Sequence, residues 1–160
     1  MQRVSSGSAR LSIGRGNAVQ LVDTSAWVEV FRRGAVVSLD DIVVDRDDVA
    51  TCLPVIQEVL QGFDDERAFR IAQEAMYALP CVEAPLGRRV FDSAVDLYRR
   101  ARRAGFTVRS STDCLIAACA LRHGLSIVHC DRDYSILSRI APLVEKNIRP
   151  LLETKRKPRR

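Results

Sequence analysis

Five acidic residues occupy positions at which a parallel sheet would bring their side chains together. Asp23 directly follows the first predicted strand, and Asp131 and Asp133 follow the fourth. Asp113 opens the helix before the fourth strand, and Glu58 lies one turn into the helix after the second. Carboxylates that converge repel each other and need a counter-charge, which a hard divalent cation such as Mg²⁺ supplies. Two such ions can activate water and stabilise the leaving oxygen in phosphodiester cleavage, so the pattern is typical of that chemistry.

Each of these acids also has a purely structural interpretation. Asp23 and Asp131 can cap the helices that follow them, and Asp113 can complete a capping box with Ser110. Glu58 can be a solvated helix residue, and Asp133 can be a first-turn partner of a helix dipole. Taken one at a time, these are the more ordinary interpretations. The joint order Asp, Glu, Asp, Asp-x-Asp at strand ends and helix starts favours a shared site.

The elements that must position these acids alternate between strands and helices. Short apolar runs bounded by turns predict strands, and apolar residues at helical spacing predict helices. Strands are predicted at 19–22, 49–53, 81–83, 126–129 and 147–151, and helices at 25–33, 54–61, 64–79, 86–104, 111–123 and 131–140. This alternation predicts an α/β fold, with a parallel sheet of four or five strands and helices on both faces. Functional sites in such sheets form at the carboxyl ends of the strands.

The composition indicates one globular domain with two polar ends. The chain has 160 residues, of which 47% are hydrophobic and 28% are charged. We expect a flexible extension at 1–17, the folded domain at 18–152 and a disordered basic tail at 153–160. The net charge of +5 lies in the ends, because the segment 21–150 has 17 basic and 19 acidic residues. The basic balance is therefore poor evidence that the folded part binds nucleic acid.

The sequence also predicts the compartment. Its longest uninterrupted apolar run, at 114–121, is far shorter than the roughly 20 residues that a membrane-spanning helix needs. The five cysteines form no CxxC pair and are odd in number, which indicates reduced thiols rather than disulfides or a zinc site. We therefore expect a cytoplasmic protein that does not associate with membranes.

Other classes of phosphate chemistry fit the sequence less well. No Gly-Lys-Ser/Thr loop is present, which excludes a P-loop nucleotide hydrolase, and no GxGxxG follows the first strand. A haloacid-dehalogenase-like phosphatase would need a second aspartate two residues after Asp23, where Ser25 stands instead. It would also need a lysine near the acids, and the first lysine of the chain is Lys146.

Four stretches of the chain resemble the motifs of PIN-domain proteins. The first is Leu-Val-Asp-Thr-Ser-Ala-Trp at 21–27, and the second is Ile-Gln-Glu-Val-Leu-Gln-Gly at 56–62. The third is Ser-Thr-Asp-Cys-Leu-Ile-Ala-Ala at 111–118, and the fourth is Ile-Val-His-Cys-Asp-Arg-Asp-Tyr at 127–134. Their order and spacing are similar to those of VapC, the toxin of bacterial toxin–antitoxin pairs. His129 and Cys130 stand where many relatives carry threonine and a polar residue.

This resemblance implies an activity, a site and partners. The implied activity is that of an endoribonuclease that depends on Mg²⁺ or Mn²⁺. Its substrate would be RNA, with tRNA as one candidate, and a cognate VapB-type antitoxin would inhibit it. The implied catalytic acids and metal ligands are Asp23, Glu58, Asp113 and Asp131, with Asp133 as a further ligand. The implied assembly is a homodimer that forms a heterotetramer or a larger complex with the antitoxin.

Two alternatives remain open on the sequence. One is a PIN module that binds RNA or protein without cleaving it, although the presence of all the acids argues against such a loss of activity. The other is a different metal-dependent phosphohydrolase. Metal-dependent cleavage of RNA by the wild type, and its absence in an Asp23→Asn variant, would separate these alternatives from a ribonuclease.

Overall fold

A computed structural model describes residues 19–156, so the predicted extension at 1–17 and the last four residues lie outside the described part. Its strands are β1 (Gln20–Val22), β2 (Val49–Cys52), β3 (Cys81–Val82), β4 (Ser126–His129) and β5 (Glu145–Asn147). Its helices are α1 (Thr24–Phe31), α2 (Leu39–Ile42), α3 (Leu53–Leu60), α4 (Glu66–Ala78), α5 (Arg88–Arg103), α6 (Ser111–His123), α7 (Arg132–Ile140) and α8 (Arg149–Arg156). A single 3-10 turn, Arg46–Asp48, precedes β2. None of the helices in this described part is long and apolar enough to cross a membrane.

The five strands form one parallel sheet in the order β3-β2-β1-β4-β5. This confirms the predicted α/β class and the parallel sheet. Strands β1 and β4 pair in register over Leu21 with Ile127 and Val22 with Val128. The chain moves one way across the sheet from β1 to β3 and the other way from β4 to β5, so the strand order reverses between β1 and β4. Clefts at such a reversal are where parallel α/β sheets place their sites.

The helices divide between the two faces of the sheet. Connections between parallel strands are right-handed, so connections that run in opposite directions along the sheet cover opposite faces. Helix α3 packs against α1 and α4 on one face, and α5, α6 and α7 pack on one another on the other. The sheet is therefore buried on both faces, as the apolar strands predict.

Helix α6 forms the centre of the second face, and it is buried nearly all round, as its apolar sequence predicts. Small side chains such as Ala117, Ala118 and Ala120 are fully buried and let the helix lie close to its neighbours. The helix ends at Gly124, which takes the left-handed conformation (φ 64°) that glycine adopts without strain. Its first turn carries Asp113 to the carboxyl edge of the sheet, beside the end of β4.

The carboxyl end of the chain differs from the sequence prediction. The expected strand at 147–151 is instead the short β5 followed by α8, and residues 153–156 of the expected disordered tail belong to that helix. The physical reason is that Ile148 and Leu152 are buried in the core. Outside this apolar contact, Lys155 pairs with Asp41 and holds the helix against α2.

Candidate active site

The acids Asp23 and Asp131 follow the two central strands, β1 and β4, at the point where the strand order reverses. Both act as the N-cap of the next helix, as their structural interpretation predicts: Asp23 accepts from the Ser25 N–H, and Asp131 accepts from the Asp133 N–H. The Asp23 N–H also donates to the Val128 carbonyl at 2.9 Å, which continues the pairing of β1 with β4. Capping thus fixes where these carboxylates lie and leaves further oxygen lone pairs at the edge of the sheet.

Three of the predicted site acids form a group that could hold a metal ion. One carboxylate oxygen from each of Asp113, Asp131 and Asp133 lies within 4.8 Å of the others. Asp113 and Asp133 are buried, and Asp131 is partly exposed at the mouth of the group. Hard oxygen donors at this spacing are the ligand type that Mg²⁺ and Mn²⁺ prefer.

Burial among these acids raises the pKa of Asp113 to about 8. Removal of the carboxyl from water is the largest cause, and the neighbouring charges of Asp23, Asp131 and Asp133 follow. The Ser110 hydroxyl opposes the shift. Ser110 caps α6 by accepting the Asp113 N–H, but its own N–H donates to Asp133 Oδ2 at 3.2 Å instead of to Asp113. The reciprocal half of the predicted capping box is therefore replaced by a contact with Asp133.

Asp133 ties the loop before α6 to the turn after β4. Its Oδ2 accepts the backbone N–H of Arg109 at 2.7 Å as well as that of Ser110. The Arg109 guanidinium reaches back over the acids, with Nη2 donating to Asp131 Oδ1 at 2.9 Å. The sequence identified Asp133 but gave Arg109 no role, because a single arginine in a loop has no recognisable spacing to an acid 24 positions away.

Asp23 is held by two neighbours on different elements. Ser25 donates to Asp23 Oδ2 through its N–H at 2.9 Å and its hydroxyl at 2.5 Å, and Tyr134 donates to Oδ1 at 2.5 Å. The Ser25 hydroxyl also accepts the Cys130 N–H at 3.0 Å, so β1 and the turn after β4 are fixed to each other. Tyr134 is fully buried and lies at the end of the fourth motif, and its position in that motif is the only sequence signal that marks it.

Glu58 lies apart from the group of three acids that the described residues form. It accepts a 2.8 Å hydrogen bond from the Thr24 hydroxyl, which joins α3 to the first turn of α1 beside Asp23. Thr24 therefore orients Glu58, a contact that the sequence analysis did not predict. The structure brings Asp113, Asp131 and Asp133 together, places Asp23 next to them and connects Glu58 through Thr24.

His129 is part of the scaffold beneath this site. It is fully buried on β4, and its Nε2 lies 2.7 Å from Glu145 Oε2 on β5. Its ring packs against that of Tyr134 at a centroid distance of 4.9 Å. His129 thus supports the residue that holds Asp23.

Known proteins are similar to this chain in sequence and in fold. The PIN domain family model matches residues 21–141. A VapC ribonuclease of Mycobacterium bovis is 39% identical over 133 residues, which are 81% of this chain and 98% of the relative. Ribonuclease VapC11 of Mycobacterium tuberculosis matches with the same identity and coverage. Among solved structures, DNA-bound VapBC from Salmonella typhimurium superposes with a TM-score of 0.66 at 14% identity, covering 82% of this chain and 98% of the other.

The family match and the identity to these relatives extend over most of the chain. The chain belongs to the PIN-domain family and, within it, to the VapC ribonucleases. This confirms the resemblance that the four motifs carry, and with it the ribonuclease class predicted from the sequence.

Proposed function

We propose that this chain is the toxin of a VapBC-type pair, an endoribonuclease that hydrolyses RNA with a divalent metal ion and is inhibited by a VapB-type antitoxin. The group of three carboxylates at the carboxyl edge of the sheet carries the catalytic part of the proposal. It occurs in a chain that is 39% identical to proteins named as ribonucleases.

The residues present fit a magnesium or manganese ion. Asp113 and Asp131 would hold it together with Asp133, and Asp23 and Glu58 would complete the acidic site. The raised pKa of Asp113 is consistent with this assignment, because burial and then the neighbouring acids disfavour its charged form, and a cation would offset both effects. When bound, such an ion would supply charge neutralisation and activation of water for attack on the phosphorus.

The chain's own residues prepare this chemistry by holding the acids in place. Ser25 and Tyr134 fix both oxygens of Asp23, and Thr24 fixes Glu58. Asp133 anchors the loop before α6 and so places Asp113 opposite Asp131. Preorganised acids of this kind need little rearrangement during the reaction.

RNA is the substrate that the electrostatics of the mouth support. The partly exposed side chains of Arg109 and Arg132 flank the acids, with the Arg132 Nε 3.8 Å from Asp133 Oδ1. Basic side chains around an acidic centre can hold the phosphates next to the scissile bond. The ribonuclease relatives support the same substrate class, and tRNA is the first RNA to test.

The antitoxin would bind the groove between α1, α2 and α4. This groove has a volume of about 710 Å³ and an apolar lining that includes Trp27, Phe31, Val36, Leu39 and Leu79. An amphipathic segment of a partner docks in such grooves through its apolar face. Solved relatives of this fold are described as VapBC, and this supports a VapB-type occupant here.

The homodimer would form through α5 and α6. Phe91, Val95 and Tyr98 are exposed at helical spacing on α5, and they line a second groove of about 310 Å³ with Leu115 of α6. Exposed apolar surface of this kind marks an interface more often than it marks free surface. The groove also includes Thr112, so the dimer would form beside the acidic site.

The test is cleavage of total cellular RNA, with tRNA as a separate substrate, by purified chain freed of antitoxin. We expect cleavage with Mg²⁺ or Mn²⁺, no cleavage in EDTA, and loss of at least about a hundredfold in the Asp113→Asn variant. Glu74→Gln, which removes an exposed acid on α4, is the matched control and should retain full activity.

Two results would contradict the proposal. Cleavage that persists in EDTA would exclude the metal, and RNA binding without cleavage under every metal condition would favour the silent PIN module. Inhibition is tested separately, by adding a purified VapB-type antitoxin and measuring the loss of cleavage.

A further inference from the structure

Arg109 is the basic side chain that spans the acid group. Its Nη2 donates to Asp131 Oδ1 at 2.9 Å, and its Nε lies 3.5 Å from Asp133 Oδ1. Its backbone N–H donates to Asp133 Oδ2, so the main chain at this residue is fixed. The side chain nevertheless remains 55% exposed. The backbone of Arg109 is therefore fixed, while its guanidinium is free to rotate into solvent.

The position of the guanidinium conflicts with that of a divalent cation. Asp131 and Asp133 belong to the group whose oxygens lie within 4.8 Å of each other, and Arg109 contacts both. A cation held by Asp131 would lie beside the guanidinium, and like charges at that distance repel. Charge repulsion therefore disfavours the ion pair between Arg109 and Asp131 when the cation binds, and we expect the pair to open. Opening is inexpensive, because exposed ion pairs contribute little to stability.

We propose that the Arg109 side chain adopts two alternative positions and that Arg109 is a substrate-positioning residue. In the cation-free protein it neutralises Asp131 and Asp133, and in the loaded protein its freed guanidinium binds a phosphate of the RNA next to the scissile bond. The inference rests on the proposed function, because it needs both a cation and an RNA. A guanidinium suits the second position, since its planar donors match two phosphate oxygens at once, whereas a lysine ammonium is a point charge.

Arg132 provides a matched control on the same acid group. Its Nε lies 3.8 Å from Asp133 Oδ1, and its side chain is 64% exposed, close to the value for Arg109. Among the described residues, Arg132 forms no hydrogen bond or ion pair with Asp131, whereas Arg109 donates directly to it. Replacing either arginine by glutamine removes one positive charge near Asp133, so the comparison isolates the direct contact of Arg109 with Asp131.

The first measurement is Mn²⁺ binding to the purified full chain without RNA, by isothermal titration calorimetry. Arg109→Gln should bind Mn²⁺ about three- to tenfold more tightly than the wild type, because its competing charge is gone. Arg132→Gln should stay within about twofold. Arg109→Lys keeps the charge and should bind Mn²⁺ about as tightly as the wild type does. This result would also show that a substitution at this position leaves the loop before α6 folded.

The second measurement separates KM from kcat for RNA cleavage at saturating Mn²⁺. Both Arg109→Gln and Arg109→Lys should raise KM by about tenfold, with kcat within about threefold of the wild type. Unchanged Mn²⁺ affinity in Arg109→Gln, or a fall in kcat at constant KM, would overturn the inference. A wild type that neither binds Mn²⁺ nor cleaves RNA would instead reject the proposed function, and this inference with it.

Discussion

Asp113 is the residue at which stability and chemistry conflict most directly. Its carboxyl is buried beside Asp23, Asp131 and Asp133, and its pKa is raised to about 8 from the ordinary value of 3.8. At neutral pH the folded chain therefore holds a proton on Asp113 that the unfolded chain has released. A cation that binds this carboxylate must displace the proton, so the affinity for metal should increase with pH.

This proton makes the stability of the metal-free chain depend on pH. Between about pH 4 and pH 8 the folded state binds more protons than the unfolded state, so the free energy of unfolding in EDTA should fall as pH rises. The slope from one group is at most about 1.4 kcal/mol per pH unit, and it should vanish above pH 8. Urea unfolding across this range measures it.

The Asp113→Asn variant isolates the contribution of this one carboxyl. It should lose most of the slope and gain about 2 kcal/mol in the free energy of unfolding at neutral pH, while losing RNA cleavage. Glu74→Gln should keep the slope of the wild type. An equal slope in Asp113→Asn would show that other groups are responsible for it.

Tyr134 should matter through its hydroxyl rather than through its ring. Burial and the charge of Asp23 raise the pKa of Tyr134 well above its ordinary value, so the hydroxyl remains a proton donor to Asp23. Tyr134→Phe keeps the packed ring, and we expect it to lower the free energy of unfolding by about 1–2 kcal/mol and kcat by about tenfold. Tyr77→Phe, an exposed tyrosine on α4, is the control and should change neither quantity. Full activity in Tyr134→Phe would show that the hydroxyl of Tyr134 is not needed to hold Asp23 for cleavage.

The acids could be found from the sequence because they lie at fixed offsets from strands and helix starts. Asp23 directly follows β1, Asp131 lies two residues after the end of β4, and periodicity located those strands. Arg109 and Tyr134 could not be given roles, because their partners are 22 and 111 positions away along the chain. Such contacts depend on how elements pack, which a local pattern does not specify.

At the scale of elements, the sequence predicted segments with clear apolar runs and end signals well, and segments without them poorly. Helix α6 and strand β4 begin and end at the predicted residues, because buried runs closed by glycine or by an acid have clear ends. Helix α2 has four residues, too few to show a period. Helix α8 escaped prediction because its charged residues resemble a solvated tail and only one turn of it is apolar.

The packing of α8 can be tested directly. Leu152 is buried, so Leu152→Ala should lower the free energy of unfolding by about 2–3 kcal/mol. Glu153→Ala, at the neighbouring exposed position on the same helix, should leave it within about 0.5 kcal/mol. Equal small effects in both variants would favour the disordered tail that the composition suggested.

For the whole molecule, the topology explains why acids far apart in sequence share one edge. The strand order reverses between β1 and β4, and Asp113 on the first turn of α6 lies beside the acids that follow β4. The alternation of elements predicted the parallel sheet and the edge at which these acids lie. It could not predict which exposed faces are covered by partners, because an apolar residue on a helix surface has the same pattern in either case.

The α5 face is where the proposed homodimer can be tested. Val95 is 57% exposed in the apolar stripe of α5, and a charge at this position would be buried and unpaired in a dimer. We expect light scattering to show a mass of about twice the chain mass of 17.9 kDa for the wild type. The Val95→Glu variant should have the mass of one chain. Ile71→Glu places the same charge on α4 at a side chain that is 59% exposed, and it should remain dimeric. Because both positions are open to solvent in the single chain, neither substitution should change the free energy of unfolding by more than about 0.5 kcal/mol. If Val95→Glu remains dimeric, the interface does not include the α5 face. A wild type that is monomeric at every concentration would exclude the proposed homodimer.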